Sequence, residues 1–465
     1  MKDVKSEIGE DIKDSPRPGS GALTAGLRRV GGIFSQPVSA ISDQGFFALG
    51  NFAVSTILAR QMSKGAFGQF SAAFAAFLLL STIYCAFVVD PMLVYGVSKA
   101  GDRQRSYVRK VISLHWRTAL LLSLALLVVG LIRSQTNSGV GSFAAYIGWA
   151  IATPAVLRVW LARRTTYLVR KPQYAALAGG VYLILNVVLL FAFGSFLTTN
   201  VIAACLILTT SSLIVGLCLH RSIPLRDRTP ASAPANDIFG AHWTFGRWAS
   251  IAGILGLLPD YIYFFVLSPE QCGEYRALLN VVIPLIQAYN ALGVLLMSYF
   301  ARHRERQDFT RMVLRTAGAY AGVAIVLAAL AVSVGGKIFT HLYAGKYDLP
   351  VSLLLPLAIV SVLFALKTIS DALLRSLENV TTMAGVAAVG AAAALGCGVP
   401  LAMRFGVVGA VWGDLLVYCI ATCAIAVVWI RRMRRTSQAI NHGPGSAPYP
   451  DFAVGETPLQ SFTES

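Results

Sequence analysis

The sequence predicts an all-α integral membrane protein of about twelve transmembrane helices, arranged as two pseudo-symmetric six-helix lobes. Three observations carry that prediction: a scarcity of charge, apolar blocks long enough to cross a bilayer, and basic residues collected on one side of those blocks. Of the 465 residues, 56% are hydrophobic and only 13% charged, with mean hydropathy +0.64. Soluble domains carry roughly 25% charged residues. A soluble chain this poor in charge would lack the polar groups to cover its surface. The apolar residues cluster in blocks of about 20, enough to cross ~30 Å of hydrocarbon as helix. A transmembrane barrel would alternate apolar and polar residues over short segments. Here apolar residues run consecutively, as in Ala119-Leu120-Leu121-Leu122.

Taken in order, helices are predicted over 42–61, 67–90, 112–132, 143–162, 174–194, 197–218, 247–267, 277–299, 316–335, 350–371, 380–401 and 405–430. Residues 1–40 stay polar through Ser20 and lack the early apolar core of a signal peptide, so they read as a cytoplasmic tail. The stretch 219–246 contains Pro224, Pro230 and Pro234 and reads as a cytoplasmic linker. It separates an N-lobe, 41–218 with helices one to six, from a C-lobe, 247–430 with helices seven to twelve. Residues 431–465 begin basic, with Arg431 to Arg435, and continue rich in Ser, Pro and Gly, the composition of a disordered tail.

Most of the 39 Lys and Arg fall in the tails and in alternate loops. The opposite side is left with Arg60, Lys64, Arg133, Arg276, Lys337, Lys346 and Arg404. Cytoplasmic loops carry such an excess, which predicts that both termini are cytoplasmic. The net charge of +17 is then a topology signal answered by anionic inner-leaflet lipid rather than by nucleic acid. Seven cysteines are scattered without a CxxC pair and read as small buried hydrophobes. Cys419 and Cys423 have no accompanying His, so no metal is expected, and no cofactor either.

The halves resemble each other. Ser63-Lys64-Gly65-Ala66-Phe67-Gly68-Gln69-Phe70 follows the first helix, and Ser268-Pro269-Glu270-Gln271-Cys272-Gly273-Glu274-Tyr275 follows the seventh. Both read Ser-x4-Gly-x-aromatic. An even number of helices per half makes this a parallel repeat, and transporters of that build carry substrate between the lobes.

The run Asp43-Gln44-Gly45-Phe46-Phe47-Ala48-Leu49-Gly50-Asn51-Phe52, with Leu58-Ala59-Arg60 and Gly68-Gln69-Phe70, resembles the opening of bacterial polysaccharide transporters. These are the Wzx-type flippases of the multidrug/oligosaccharidyl-lipid/polysaccharide (MOP) superfamily, which also contains the MATE exporters. The resemblance continues through Asp90-Pro91-Met92-Leu93-Val94 and Arg163-Arg164…Tyr167…Arg170-Lys171-Pro172, and ends in Phe405-Gly406-Val407-Val408-Gly409-Ala410. It implies a flippase moving an undecaprenyl-diphosphate-linked oligosaccharide to the outer leaflet by alternating access. Its implied partners are that lipid-linked substrate, membrane lipids, and a polysaccharide polymerase with chain-length machinery.

Ionisable residues inside spans are costly and read first as functional. Asp90, Asp260 and Asp371 are the candidates for a coupling ion; helix-end and ion-pair roles are the competing readings. Lys367, Asp371 and Arg375 recur at i+4 and share one helix face. The substrate-cavity candidates are Gln44, Asn51, Arg117, Arg158, Arg247, Asn280, Gln287, Lys367 and Arg375. Gln44, Asn51 and Ser55 form one polar stripe, and Asn280 and Gln287 another; interhelical hydrogen bonding is the alternative for both. Snorkelling competes with diphosphate attraction at Arg117, Arg158 and Arg247. Arg163, Arg164, Arg170 and Lys171 read as topology charges, and His341 as a surface residue. No Gly-x4-Gly-Lys-Ser/Thr run or His pair points to enzyme chemistry. A cation-coupled drug antiporter remains an alternative. A membrane polymerase or ligase is less favoured, because the outer loops are short.

Overall fold

The computed structural model describes residues 21–98, 104–135, 139–223, 225, 238–304, 306, 308–347, 350–377 and 380–441. Among these residues, thirteen α-helices stand in order. They are α1 Gly21–Gln61, α2 Lys64–Tyr84, α3 Asp90–Ser98, α4 Gln104–Gln135, α5 Gly139–Leu168, α6 Pro172–Ala192 and α7 Val201–Ser222. Then come α8 Ile238–Tyr261, α9 Pro269–His303, α10 Phe309–Tyr343, α11 Leu354–Ser376, α12 Val380–Ala393 and α13 Val399–Asn441. Of the expected tails 1–40 and 431–465, residues 21–40 belong to α1 and 431–441 to α13, and residues 1–20 and 442–465 lie outside the described residues.

Local chemistry sets the helix starts. The Ser63 hydroxyl accepts the Ala66 N–H and caps α2. Pro172 opens α6 at its first turn, where a missing N–H costs nothing. Ser268 and Gln271 form a reciprocal capping box at α9, Gln271 N–H to Ser268 Oγ and Ser268 N–H to Gln271 Oε1. The two serines of the repeated motif are therefore equivalent helix caps.

The helices show the inverse of a soluble pattern on their outer faces. In α4, Val108, Val111, His115, Ala119, Leu122 and Leu126 are buried at helical spacing, while Leu120, Leu121, Leu124, Val128 and Leu131 are exposed. Leucine on both faces suits a helix with neighbours on one side and lipid on the other. Among the described residues, ten helices are long and apolar enough to cross a membrane. The protein is a multi-pass membrane protein.

Two features reconcile ten with the expected twelve. α1 carries Asp43, Gln44, Asn51 and Arg60 and is not among the ten. The run Thr381–Arg431 counts once but is a hairpin. Gly398 lies against Gly413, and a Cβ on Gly409 would strike the Leu401 carbonyl. These pairs are evenly placed about Phe405, so the chain reverses there. Gly406 makes the reversal at φ 60°, a conformation only glycine adopts readily. Phe405-Gly406-x-x-Gly409 is therefore a turn built by two glycines.

The second predicted helix is longer than expected. α2 continues through a π-turn, Cys85–Val89, into α3, and a matching π-turn, Ala394–Gly398, interrupts the span after α12. Such bulges insert an extra residue into the helix and re-aim its next turns. The expected linker 219–246 is shorter than predicted, because α7 runs to Ser222 and 238–246 already belong to α8.

The chain forms two compact units. Unit 1 comprises Met1–Ile254, Leu267–Ala291 and Gly336–Leu349; unit 2 comprises Leu255–Val266, Leu292–Gly335 and Pro350–Ser465. The start of α9 joins unit 1 through the repeated glycines. A Cβ on Gly68 would land on the Pro269 carbonyl oxygen, and one on Gly273 would press into the Lys64 carbonyl. Only paired glycines let α2 and α9 cross this closely. Lys64 Nζ meets Glu274 Oε1 at 3.1 Å beside the crossing. After α10, Lys346 Nζ donates to the carbonyls of Ala59 and Met62, and Tyr347 donates to Ala59 at 3.1 Å. These bonds satisfy carbonyls that the end of α1 leaves free. Desolvation, and then the charge of Lys64, lower the pKa of the Lys346 ammonium.

Candidate functional site

Within unit 1, α1, α2, α5, α6, α7 and α9 enclose a cavity of about 50 Å³. Volume of that order holds more than one water. α1 lines it with Phe47, Asn51, Val54 and Ser55, and α2 with Phe70, Phe74, Phe77 and Leu78. Trp149, Val156 and Trp160 of α5, Tyr182 of α6 and Leu208 of α7 complete the wall with Arg276 of α9. Trp149 packs against both Phe74 at 4.8 Å and Phe77 at 4.9 Å, two rings that lie 6.1 Å from each other. Phe47 stacks on Tyr182 at 5.1 Å.

The charge in this lining is Arg276; no carboxylate is part of the wall. Its guanidinium stands 5.4 Å from the Phe74 ring centroid, and Nε donates to Ser55 Oγ at 3.4 Å. Ser55 donates to Asn280 Oδ1 at 2.9 Å, Asn280 Nδ2 donates to Tyr343 at 3.1 Å, and Tyr343 donates to the Ala277 carbonyl. Polar contacts across three helices thus hold Arg276 in place. The Trp149 and Trp160 indole N–H groups are buried without an acceptor among the described residues. A buried donor without a partner costs about 1–3 kcal/mol. An aromatic cavity with a cation and no carboxylate in its wall suits a ligand that carries negative charge.

α1 is held behind this wall by its opening motif. Arg163 reaches Asp43 at 2.8 Å, Tyr167 donates to the same carboxylate at 2.8 Å, and the guanidinium stacks 3.8 Å from the Phe47 centroid. Asp43 is 1% exposed and Arg163 7%. Arg163 is therefore an interior ion-pair partner, which corrects the topology role expected for it. The first and third pieces of the resemblance motif meet in this contact.

The predicted cavity residues fare unevenly. Asn51 lines the cavity, and Asn280 acts one step behind it through Ser55. Gln44 is half-buried and Gln287 exposed, and neither belongs to the wall. Arg117 and Arg247 are exposed, with Arg247 lying 5.9 Å from the Trp248 ring. Arg158 is buried but lies off the wall, between α4 and α7. Arg117, Arg158 and Arg247 thus stand outside this lining, whose charge is Arg276, a residue the charge pattern had assigned to an outer helix end. Its burial comes from the glycine crossing, which draws the first turns of α9 into unit 1. The sequence signal was its place directly after the Ser-x4-Gly-x-aromatic motif.

Unit 2 holds a second polar cluster. Tyr418 donates to Asp260 Oδ1 at 2.6 Å. Asp414, one turn before Tyr418 on α13, is 4% exposed and acts electrostatically, as Asp260 does, on Tyr263 and Tyr418. Lys367 binds Asp371 at 2.9 Å and lies within electrostatic reach of Asp260. Arg375 is exposed on the same helix. The predicted i+4 ion pair is present, and Asp414 is the acid that the sequence reading missed. Its signal was an isolated carboxylate between Gly413 and Leu415 in an otherwise apolar span. Asp90 stands exposed at the junction of the π-turn and α3. Among the described residues no group of His, Cys, Asp and Glu could hold a metal ion.

No family model matches the sequence, and no curated protein matches it. Solved structures do match. An inward-facing multidrug resistance MATE family transporter of the MOP superfamily aligns with TM-score 0.68 at 14% identity, over 88% of this chain and 100% of that one. The lipid II flippase MurJ, in an inward closed conformation, aligns with TM-score 0.66 at 12% identity, over 83% of this chain and 87% of that one. A MOP superfamily transporter from Pyrococcus furiosus aligns with TM-score 0.60 at 13% identity, over 87% and 96%. The chain shares its fold with these structures, which are transporters and a flippase.

Proposed function

We propose that the protein is a flippase for undecaprenyl-diphosphate-linked oligosaccharide, working by alternating access in bacterial polysaccharide biosynthesis. The cargo would be a precursor of O-antigen, capsule or exopolysaccharide, delivered at the outer leaflet to a polymerase and its chain-length machinery. In this reading the inner membrane holds the chain with both termini cytoplasmic, as the basic loops favour. The fold alone serves a drug transporter equally well, since the neighbours include both kinds. The composition of the unit 1 cavity is the observation that carries the choice. Arg276 lines a space whose wall holds no carboxylate, which attracts a diphosphate and repels a cation. Sugar rings also stack well on flat aromatic walls such as Phe74–Trp149–Phe77.

The aromatic wall supports a second reading, because aromatic cages also bind organic cations. Trp149 and Trp160 report on the choice directly. Purified protein titrated with an undecaprenyl-diphosphate glycan is expected to show a saturable change in tryptophan fluorescence that Trp149→Phe diminishes. An equal titration with a quaternary ammonium compound should leave it unchanged. The reverse pattern would replace the flippase with the antiporter.

The unit 2 acids serve as the coupling site in this reading. Asp260→Asn and Asp414→Asn are each expected to lower export by at least about tenfold, ~1.4 kcal/mol of barrier, with membrane accumulation retained. Full restoration of surface polysaccharide by both variants in a deletion strain would remove coupling from this cluster.

A further inference from the structure

Unit 1 contains a buried cation without a counter-charge among the described residues, away from the cavity. Arg158 is 5% exposed, and its guanidinium makes no hydrogen bond or ion pair among those residues. It sits on α5 two positions from both Val156 and Trp160, so it leaves the helix on the face opposite the cavity wall. Gly216 of α7 packs against its Cγ. The groups within electrostatic reach are Tyr84, His115 of α4 and His220 of α7, none of them a carboxylate. His115 is fully buried. Its Nδ1 shares a hydrogen with Tyr84 at 2.8 Å, while its Nε2 has no partner among the described residues.

An arginine does not escape burial by losing its proton. An unpaired buried charge is strongly unfavourable even after relaxation. Water cannot neutralise it, and the neighbouring phenol and imidazoles supply no negative charge. A bound anion does. It would receive guanidinium N–H groups and, in the tautomer that places hydrogen on Nε2, the orphaned imidazole N–H of His115. We propose that Arg158 and His115 form an anion site between α4, α5 and α7, for a phosphoryl or similar oxyanion. His220, two residues from the end of α7, marks the membrane face toward which the site lies. A phospholipid headgroup and a free inorganic anion are the two sources of that chemistry.

Thermal unfolding of the purified full-length protein tests the site and its source. One arm adds inorganic phosphate in detergent, at constant ionic strength held with chloride. The other compares nanodiscs of phosphatidylglycerol with nanodiscs of a phosphate-free galactolipid. Stabilisation by about 3 °C in either arm is expected for a ligand well above its dissociation constant. Phosphate protection identifies a free anion, and protection by phosphatidylglycerol alone identifies a headgroup. Arg158→Gln should abolish the response and Arg158→Lys retain part of it. Should Arg158→Gln misfold, His115→Phe, which keeps a flat ring but removes the donor, should weaken the same response. The site is overturned if neither arm stabilises the wild-type protein, or if Arg158→Gln and His115→Phe both respond as it does.

Discussion

Gly68→Ala is expected to cost transport about a hundredfold, and Gly273→Ala nearly as much. At both positions the new methyl would meet backbone carbonyl rather than a mobile side chain. Overpacking that side chains can absorb costs about 1–3 kcal/mol. Here neither Pro269 nor Lys64 can yield without moving a helix, so the cost falls on the crossing itself. About 2.7 kcal/mol against that arrangement is a hundredfold in its population. The expected signature is structural as well as functional. A cysteine at Glu274 should become more reactive toward a membrane-impermeant thiol reagent in the Gly68→Ala background, because the chain around Glu274 opens with the crossing. Gly45→Ala is the control, since a Cβ there meets nothing. It should transport normally.

The second large effect is at Arg276. Arg276→Gln should reduce transport of the diphosphate-linked cargo by roughly 100-fold, in line with ~3 kcal/mol for removing a charge-assisted hydrogen bond from a poorly hydrated cavity. Arg276→Lys should recover only part of it. Lysine keeps the charge but loses the planar group that lies over Phe74 and the fork that reaches Ser55. Ser55→Ala should fall between them, because it frees Arg276 from the chain through Asn280 and Tyr343 without removing the charge. Precursor build-up on the inner leaflet, measured in cells carrying each variant, orders the three. Equal build-up in all three would mean that Arg276 acts through bundle packing and not through its charge.

The fold was legible because its causes are local. Blocks of apolar residues mark the spans by length alone, and the serine caps and the Phe405-Gly406 turn are written in adjacent residues. The site was less legible because its charges are placed by packing. Arg276, early in α9, looked like a surface charge until the Gly68–Gly273 crossing drew it inward. Arg163 looked like a topology residue until Asp43, far away in sequence, appeared beside it. Asn51 and Ser55 of the α1 polar stripe both line the unit 1 cavity, because their helical spacing puts them on one face, and Ser55 also hydrogen-bonds across to α9. Gln44, on the same stripe, misses the cavity because the wall begins only at Phe47. Asp414 escaped because a lone acid in an apolar run has no pattern around it; its meaning lies in Tyr263 and Tyr418.

Movement of a diphosphate-linked glycan across the bilayer is measured most directly as sidedness. Labelled undecaprenyl-diphosphate oligosaccharide is placed in vesicles reconstituted with the wild-type protein, with Arg276→Gln, or with none. Glycan exposed on one leaflet is read by a membrane-impermeant lectin or glycosidase. The wild-type protein is expected to move glycan to the protected leaflet, and Arg276→Gln to do so far more slowly. Wild-type vesicles that keep the same sidedness as empty ones, while releasing an organic cation, would contradict the proposed function.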